Sequence, residues 1–561
     1  MIPNRYTIKF TGQSGQGINT IGKILSKVLL RAGYWIFAYR EYPSLIKGGC
    51  ASYQIDFSGN NINSSSSKCD MLCVLDKSTL KEYIPSLRKG GLLIYDDKDA
   101  IIPQSKSFEE IYIDTTTLTK EANAPSIAQN VVMLSFIWKI LGLDIKILKE
   151  EIKEYFEGKN IDMEMEYRCI DAGYNTNVYK DIYCQKCKLP KKNQKYTKKI
   201  TLTGNEAMAL GTISSGVRAY YAYPMTPITA IFKHLGDTAK QTGILLKQAE
   251  SEITAVQMAM GSMYMGTRAL VATSGGGFDL MTETISCSAM SETPLVIILG
   301  QRAGAGTGVP TWTGATDLNV ALGCGHGEFE RCVIAVNDVK TSYSAISKAF
   351  NIAEQYQIPV IILTEKQIAE SIYSIRDIPK PEDIQRNIST ALQRYTITKN
   401  GISPRRIPRR NRKPFLATSD EHDEDGKSTE DANIIKAMVE KRARKLEILE
   451  KELPQPTLYN PRNSETIFVG WGSVGTVIKD LISNNANFGY LEYEYIYPLK
   501  TEILETLIKR KKRLIIIENN YTGQLGKLIK EKIGYDFKYK LNKYNSKPFF
   551  TEDILEYLKT I

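Results

Sequence analysis

The residues best suited to chemistry cluster between positions 204 and 328. Glu252 stands at the head of a run of small and apolar residues, Ile253-Thr-Ala-Val-Gln-Met-Ala-Met-Gly. Negative charge in a first helical turn is favourable in itself. A carboxylate set among apolar neighbours is also the kind of acid that functional sites use. Tyr223-Pro-Met-Thr-Pro-Ile-Thr is a stiff loop, because each proline fixes its own φ and pushes the preceding residue towards extended geometry. Thr226 therefore presents its hydroxyl from a preorganised support. Thr273-Ser-Gly-Gly-Gly follows an apolar run, and its glycines let a ligand come close to the backbone. Gln301-Arg302 closes another such run, and the Arg302 guanidinium is a planar fork that fits a carboxylate. Gly204-Asn-Glu-Ala puts a flexible turn before a small-residue helix. The plainer reading of each loop is ordinary strand-to-helix turn chemistry.

These residues need rigid elements behind them. Ala269-Leu-Val-Ala-Thr, Leu295-Val-Ile-Ile-Leu-Gly and Val360-Ile-Ile-Leu-Thr read as buried parallel strands, with helical patterns between them. Strand and helix signals also alternate before and after this region. Arg5 to Thr11 reads as a strand. Gly12-Gln-Ser-Gly-Gln-Gly and a helix from Ile18 to Ala32 follow. The G-x-x-G-x-G spacing is not the dinucleotide G-x-G-x-x-G. The loop is either a tight turn or an anion cradle at a helix start. The expected organisation is residues 1–183 as one domain, 184–198 as a polar linker, 199–377 as a second domain, 378–462 as an extended connector and 463–561 as a third domain. The fold class is α/β, with three doubly wound, mainly parallel sheets.

With 561 residues, several cores are expected rather than one. The hydrophobic fraction of 42% and charged fraction of 24% fit a globular chain, and no apolar run is long enough to span a bilayer. No signal-peptide pattern opens the sequence, so a cytoplasmic location is expected. The nine cysteines lack the rhythm of a disulfide framework. Cys184-Gln-Lys-Cys187 has no second pair and reads as linker thiols, so no metal site is expected. Three histidines leave little for a histidine-based centre. The net charge of +11 is compatible with nucleic acid or an acidic protein partner, but most of the lysines are dispersed and read as solvated surface.

Taken together, the sequence resembles the α subunit of the 2-oxoacid:ferredoxin oxidoreductases (2-oxoglutarate synthase type), in the form with a γ domain fused at its N-terminus. The resemblance rests on Tyr223-Pro-Met-Thr-Pro, Glu252-Ile-Thr-Ala, Thr273-Ser-Gly-Gly-Gly-Phe, Gln301-Arg302, Thr307-Gly-Val-Pro-Thr311 and Gly325-His-Gly-Glu328. Glu41-Tyr-Pro-Ser-Leu-Ile-Lys-Gly-Gly extends it to the N-terminal domain. Gly401-Ile-Ser-Pro-Arg and Lys441-Arg-Ala-Arg-Lys extend it to the connector, and Glu518-Asn-Asn-Tyr-Thr-Gly-Gln-Leu to the C-terminal domain. The chain departs from the family at Gly276, where proline is usual. It departs again at Lys47-Gly-Gly-Cys50, where Arg-Gly-Gly-His is frequent, and at Trp312-Thr-Gly-Ala, where Arg-Thr-Glu-Gln is common. The last two bear on substrate choice.

The resemblance implies a thiamine-diphosphate pyrimidine-binding domain and a transketolase C-terminal-like domain. It implies that Tyr223, Pro224, Thr226, Glu252, Ser274, Gly275 and Gly277 line the aminopyrimidine half of a thiamine diphosphate site. Glu252 would share a proton with the pyrimidine ring. Arg302, Thr226 and Thr311 would contact the 2-oxoacid. Arg40 and Lys47 would contact either its distal end or coenzyme A, or serve only as structural cations. The chain lacks cluster cysteines and a G-D-G…N metal motif. A separate β subunit is therefore implied, bringing Mg2+ and [4Fe-4S] clusters, with ferredoxin as electron acceptor and coenzyme A as co-substrate. No nucleic acid and no membrane are expected as partners. The competing expectations are another thiamine-dependent half-subunit of indolepyruvate type, a non-catalytic nucleotide-binding or scaffold protein, and a nucleic-acid binder.

Overall fold

The computed structural model describes residues 5–43, 49–100, 102, 107–176, 189–192, 199–409, 414–460 and 464–561. Lys47, Cys184 and Cys187 lie outside these residues. The chain divides into two compact units. One comprises residues 1–202, 371–377 and 550–560, and the other residues 203–370 and 378–549 with residue 561. No helix among the described residues is long and apolar enough to cross a membrane. The described cysteines are free, and most are buried as small apolar groups.

The first unit is built on an eight-stranded mixed sheet. Its spatial order is Glu109–Tyr112, Leu87–Tyr95, Cys69–Val74, Arg5–Gln13, Cys50–Ser58, Trp35–Glu41, Ile372–Ile375 and Ile200–Thr203. Arg5–Gln13 is buried along most of its length. It pairs parallel with Cys69–Val74 and antiparallel with Cys50–Ser58. The antiparallel half carries Trp35–Glu41 and also Ile372–Ile375, a strand that arrives from far along the chain. Helix Ile18–Arg31 packs Ile21, Ile24, Leu25, Val28 and Leu29 into the core. Its capping residue Gly17 has φ +78°, and a Cβ there would fall 2.1 Å from the Asn130 amide nitrogen. The last glycine of the Gly12–Gly17 loop is thus required by conformation and packing together. Near the chain's end, helix Thr551–Leu558 joins this unit, with the Ser66 hydroxyl donating to Glu552 at 2.9 Å.

The second unit holds two sheets. The larger runs Tyr495–Tyr497, Cys332–Ala335, Pro359–Glu365, Leu295–Gln301, Ala269–Ser274, Ala219–Ala222 and Leu245–Gln248. All its pairs are parallel except the one at Tyr495–Tyr497. Its three central strands, Ala269–Ser274, Leu295–Gln301 and Pro359–Glu365, are buried throughout, as expected of strands covered on both faces. Register places Ser274 opposite Gly300 and Gln301 opposite Glu365, so the carboxyl ends of these strands share one edge. That edge is where open α/β sheets bind ligands. The smaller sheet runs Thr457–Tyr459, Phe488–Glu492, Thr466–Gly470, Arg513–Glu518 and Tyr539–Asn542, parallel except at its first pair.

The connector is pinned by buried charge. Glu354, on helix Val339–Tyr356, takes Arg268 at 2.8 Å, Arg386 at 3.1 Å and Arg405 at 2.8 Å. Helix Ala432–Glu452, capped by Asp431, buries Lys441 and Lys445 against Glu292 at 2.5 Å each. Burial works to raise the Glu292 carboxyl, but Lys445, Lys441 and Arg394 overcome it and hold it well below the usual range. Part of the basic run that begins at Arg405 is therefore used inside the protein.

Candidate functional site

The candidate site forms where the carboxyl ends of Ala219–Ala222, Ala269–Ser274 and Leu295–Gln301 meet the loops that follow them. Glu252 is the first residue of helix Glu252–Tyr264, whose cap is the Ser251 side chain accepting from the Thr254 amide. Its side chain is almost wholly buried at 7% exposure, which makes it more than a surface helix-end charge. The reason lies in the glycine turn. A Cβ on Gly277 would stand 2.6 Å from Glu252 Oε1 and 2.1 Å from Thr273 Oγ1. A Cβ on Gly276 would meet nothing within 4 Å. One glycine of the three makes room for the acid, and its neighbour opens towards free space.

Arg302 is fixed by the loop that carries Thr226. Its Nε donates to the Thr226 carbonyl at 2.6 Å, and among the described residues this is the guanidinium's one hydrogen bond. Burial pulls the Arg302 pKa down, opposed by Asp317 and Glu252 nearby. The Tyr223–Ile228 loop is held in turn by buried neighbours. Asn205 Nδ2 donates to the Pro227 carbonyl at 2.9 Å, and the Thr226–Pro227 peptide is cis. A Cβ on Gly300 would stand 2.7 Å from Ile228 Cγ2, so strand and loop fit only with glycine there. Tyr223 and Pro224 lie exposed at the rim.

The segment after Arg302 is clamped from the smaller sheet. Asn520 Nδ2 donates to the Ala315 carbonyl at 3.1 Å, and the Ala315 amide donates to the Asn519 carbonyl at 2.9 Å. Gln524 Nε2 reaches the Thr316 carbonyl at 2.7 Å. Glu518 organises that clamp, accepting from Trp471, Asn520 and the Leu525 and Gly526 amides. The Thr313 hydroxyl donates to Glu365, which also accepts from the Ser473 amide. Thr311 is buried in this segment, beside Trp312, over whose ring Lys547 Nζ sits at 3.5 Å.

Of the residues expected from sequence, Glu252, Thr226, Arg302, Gly275 and Gly277 gather here, and Ser274 ends the strand beneath them. Arg40 belongs to the first unit, on strand Trp35–Glu41, stacked at 4.5 Å on Tyr42. Asp317 escaped the sequence reading. One of its carboxylate oxygens lies 3.2 Å from where a Gly275 Cβ would be, and its amide donates to Gln301 Oε1 at 3.0 Å. Burial pushes its pKa up to about 6, although Thr316 and Arg302 favour the charged form. An acidic residue directly before the apolar run Leu318-Asn-Val-Ala-Leu was its only local signal.

The donor set suits a flat ligand with a polar edge. It offers a buried carboxylate, a glycine turn that lets backbone approach, and a cationic fork. Among the described residues, two of its buried polar atoms have no partner, the Ser274 hydroxyl and Asn205 Oδ1. Buried polar groups are nearly always satisfied, so such atoms mark a place for a ligand or water.

Comparison with known proteins gives this arrangement a family. The family model described as pyruvate flavodoxin/ferredoxin oxidoreductase, thiamine diP-bdg, matches residues 210–441. The one described as pyruvate ferredoxin/flavodoxin oxidoreductase matches residues 7–176. The 2-oxoacid:ferredoxin oxidoreductase subunit alpha of Sulfolobus sp is 31% identical over 98% of this chain and 95% of its own length. Subunit alpha of the 2-oxoacid:ferredoxin oxidoreductase 1 of Sulfurisphaera tokodaii is 30% identical over 98% of this chain and 96% of its own. The solved 2-oxoglutarate:ferredoxin oxidoreductase from Magnetococcus marinus, with 2-oxoglutarate, coenzyme A and succinyl-CoA bound, superposes with a TM-score of 0.90 at 26% identity, covering 99% of both chains. With a relative above 30% identity along nearly its whole length, and the expected acid, fork and glycine turn assembled at one sheet edge, the chain belongs to the family of 2-oxoacid:ferredoxin oxidoreductase alpha subunits.

Proposed function

We propose that this chain works with a β subunit to convert a 2-oxoacid and coenzyme A into an acyl-CoA and CO2, releasing one proton and passing two electrons, one at a time, to ferredoxin. The observation that carries the reading is the buried Glu252 carboxylate seated against Gly277, with Arg302 held on the Thr226 carbonyl and within electrostatic reach of Glu252. The residues fit the aminopyrimidine half of thiamine diphosphate, for which Glu252, Thr226, Ser274, Gly275 and Gly277, with Tyr223 and Pro224 at the rim, form the lining. Thiamine diphosphate, when bound, supplies the carbanion chemistry and electron sink that decarboxylation of a 2-oxoacid needs.

This chain's part is positioning and proton handling. Glu252 shares a proton through its carboxylate with the ring edge, and a buried acid does this well because water does not compete for the hydrogen bond. The free side of the Arg302 fork takes the substrate carboxylate. Thr226 and Thr311 add hydroxyls beside the reacting carbon, and the clamp from Asn519, Asn520 and Gln524 keeps the Thr311 segment in place. Mg2+ and [4Fe-4S] clusters belong to the β subunit in this reading, and the complex works in the cytoplasm. Arg40 and Lys47 are proposed contacts for coenzyme A or the distal end of the substrate.

The test uses the complex as isolated. It measures coenzyme A-dependent ferredoxin reduction with pyruvate, 2-oxoglutarate and branched 2-oxoacids. Reduction with at least one of them is expected. No reduction with any, despite bound thiamine diphosphate and intact clusters, would sink the proposal.

A further inference from the structure

Asp317 stands where a helix cap belongs and does not cap. It directly precedes helix Leu318–Gly323, yet its side chain makes no capping hydrogen bond to that helix. The carboxylate turns instead to the elements that build the site. One oxygen, Oδ2, lies 3.2 Å from where a Cβ on Gly275 would be, and among the described residues it accepts no hydrogen bond. The other, Oδ1, lies 3.0 Å from the Thr316 hydroxyl, which also donates to the Arg302 carbonyl at 2.8 Å. The main chain around it is fixed. The Asp317 amide donates to Gln301 Oε1 at 3.0 Å. Gln524 holds both flanks, donating to the Thr316 carbonyl at 2.7 Å and accepting from the Asn319 amide at 3.3 Å.

The cation within reach of this carboxylate is Arg302. Burial works against the charge of that guanidinium, and two acids favour it, Asp317 more strongly than Glu252. Among the described residues Arg302 forms an ion pair with neither, and its one hydrogen bond goes to the Thr226 carbonyl. The charge of Asp317 is opposed first by burial and then by Asp279, at the end of helix Gly275–Asp279, while Thr316 and Arg302 favour it. An acid that reaches a guanidinium without pairing to it keeps the cation charged and its fork available. The same acid repels a second carboxylate that comes to that fork.

We infer that Asp317 is a positioning residue, the counter-charge of the Arg302 fork while the site is empty, and that its negative charge competes with the substrate carboxylate for that fork. The inference rests on the proposed role of Arg302 in taking that carboxylate. It adds a consequence which that role alone does not have: affinity for the 2-oxoacid depends on whether Asp317 carries its charge. The Asp317 pKa of about 6 sets the window. Below it the acid is neutral and the fork is left to the substrate. Above it the acid is charged and the substrate anion meets a like charge.

The test uses the complex as isolated, with a 2-oxoacid that it turns over, and follows KM and kcat from about pH 5 to about pH 8. The native KM for the 2-oxoacid should rise about threefold or more as pH passes through about 6, and the KM for coenzyme A should not follow it. Asp317→Asn keeps the size of the side chain and an acceptor for the Thr316 hydroxyl. Its KM should hold the low-pH native value across the range, about threefold or more below the native KM at about pH 8. The change should fall on KM rather than on kcat. A residue that only supports the fold would, when replaced, raise KM or lower kcat at every pH. If the variant does not assemble, the native profile decides alone. A native KM that stays flat through this window, or an Asp317→Asn complex whose KM follows pH as the native one does, overturns the inference and leaves the functional reading standing. No turnover of any 2-oxoacid, with cofactor and clusters in place, removes both.

Discussion

At the scale of single residues, the site is decided by which glycine faces which side chain. Gly277→Ala would drive a Cβ into Thr273 Oγ1 and Glu252 Oε1, whereas Gly276→Ala meets open space. The first should lower kcat by about tenfold or more by displacing the acid, and the second should stay within about twofold, since small misplacements at reacting groups are costly. Steady-state assays of the two variants check this. Asp317 offers a pH test. Its pKa is about 6 in the folded protein, above the ordinary carboxylate value of 3.8, because burial disfavours its charge. The folded state then binds more protons than the unfolded state between those values, so stability falls as pH rises through that window. Asp317→Asn should remove on the order of 2 kcal/mol of that fall, read from denaturation midpoints at about pH 4 and about pH 6. The place of Glu252 at the head of a helix was legible in the sequence, because an acid there precedes a run of small and apolar residues. Asp317 was not, because its importance comes from a turn at Gly275 that lies distant along the chain.

At the scale of elements, strands with continuous apolar runs were read correctly, and helix ends fell within a residue or two. The helix expected from Ile18 to Ala32 spans Ile18–Arg31, and the connector expected to be extended also holds a helix, Ala432–Glu452. Local signals suffice where burial on both faces, or a side-chain cap, fixes an element. They fail where pairing is long-range. Nothing near Ile372–Ile375 says that it will join the sheet of the first unit. The motif Glu518-Asn-Asn-Tyr-Thr-Gly-Gln stood out in the sequence without a role, and the structure gives it one as the clamp on the Ala315–Asn319 segment. Asn520→Ala removes donors to Ala315 and Glu518 and the acceptor of the Gly523 amide. It should cost about 1–3 kcal/mol in stability and raise the KM for the 2-oxoacid more than it lowers kcat. Chemical denaturation together with the kinetic split tests this.

At the scale of the whole molecule, net charge misleads when read as a surface property. Arg405 and Arg406, which open the densest basic run, are 3% and 5% exposed, and Arg405 is bound to Glu354. The connector is thus held by charge where its sequence offers few apolar residues. Glu354→Gln leaves three arginines without their shared carboxylate and should destabilise the chain by about 3–5 kcal/mol. Breaking the exposed Lys233–Asp237 pair should cost about 0.5 kcal/mol or less. Denaturant midpoints of the two variants give the comparison. The account as a whole turns on one acid. In the complex carrying Glu252→Gln, thiamine diphosphate content and subunit assembly should match the native complex, while coenzyme A-dependent ferredoxin reduction falls by about 100-fold or more. A variant that retains the cofactor and turns over 2-oxoacid at the native rate would contradict the role given to Glu252 and the site built around it.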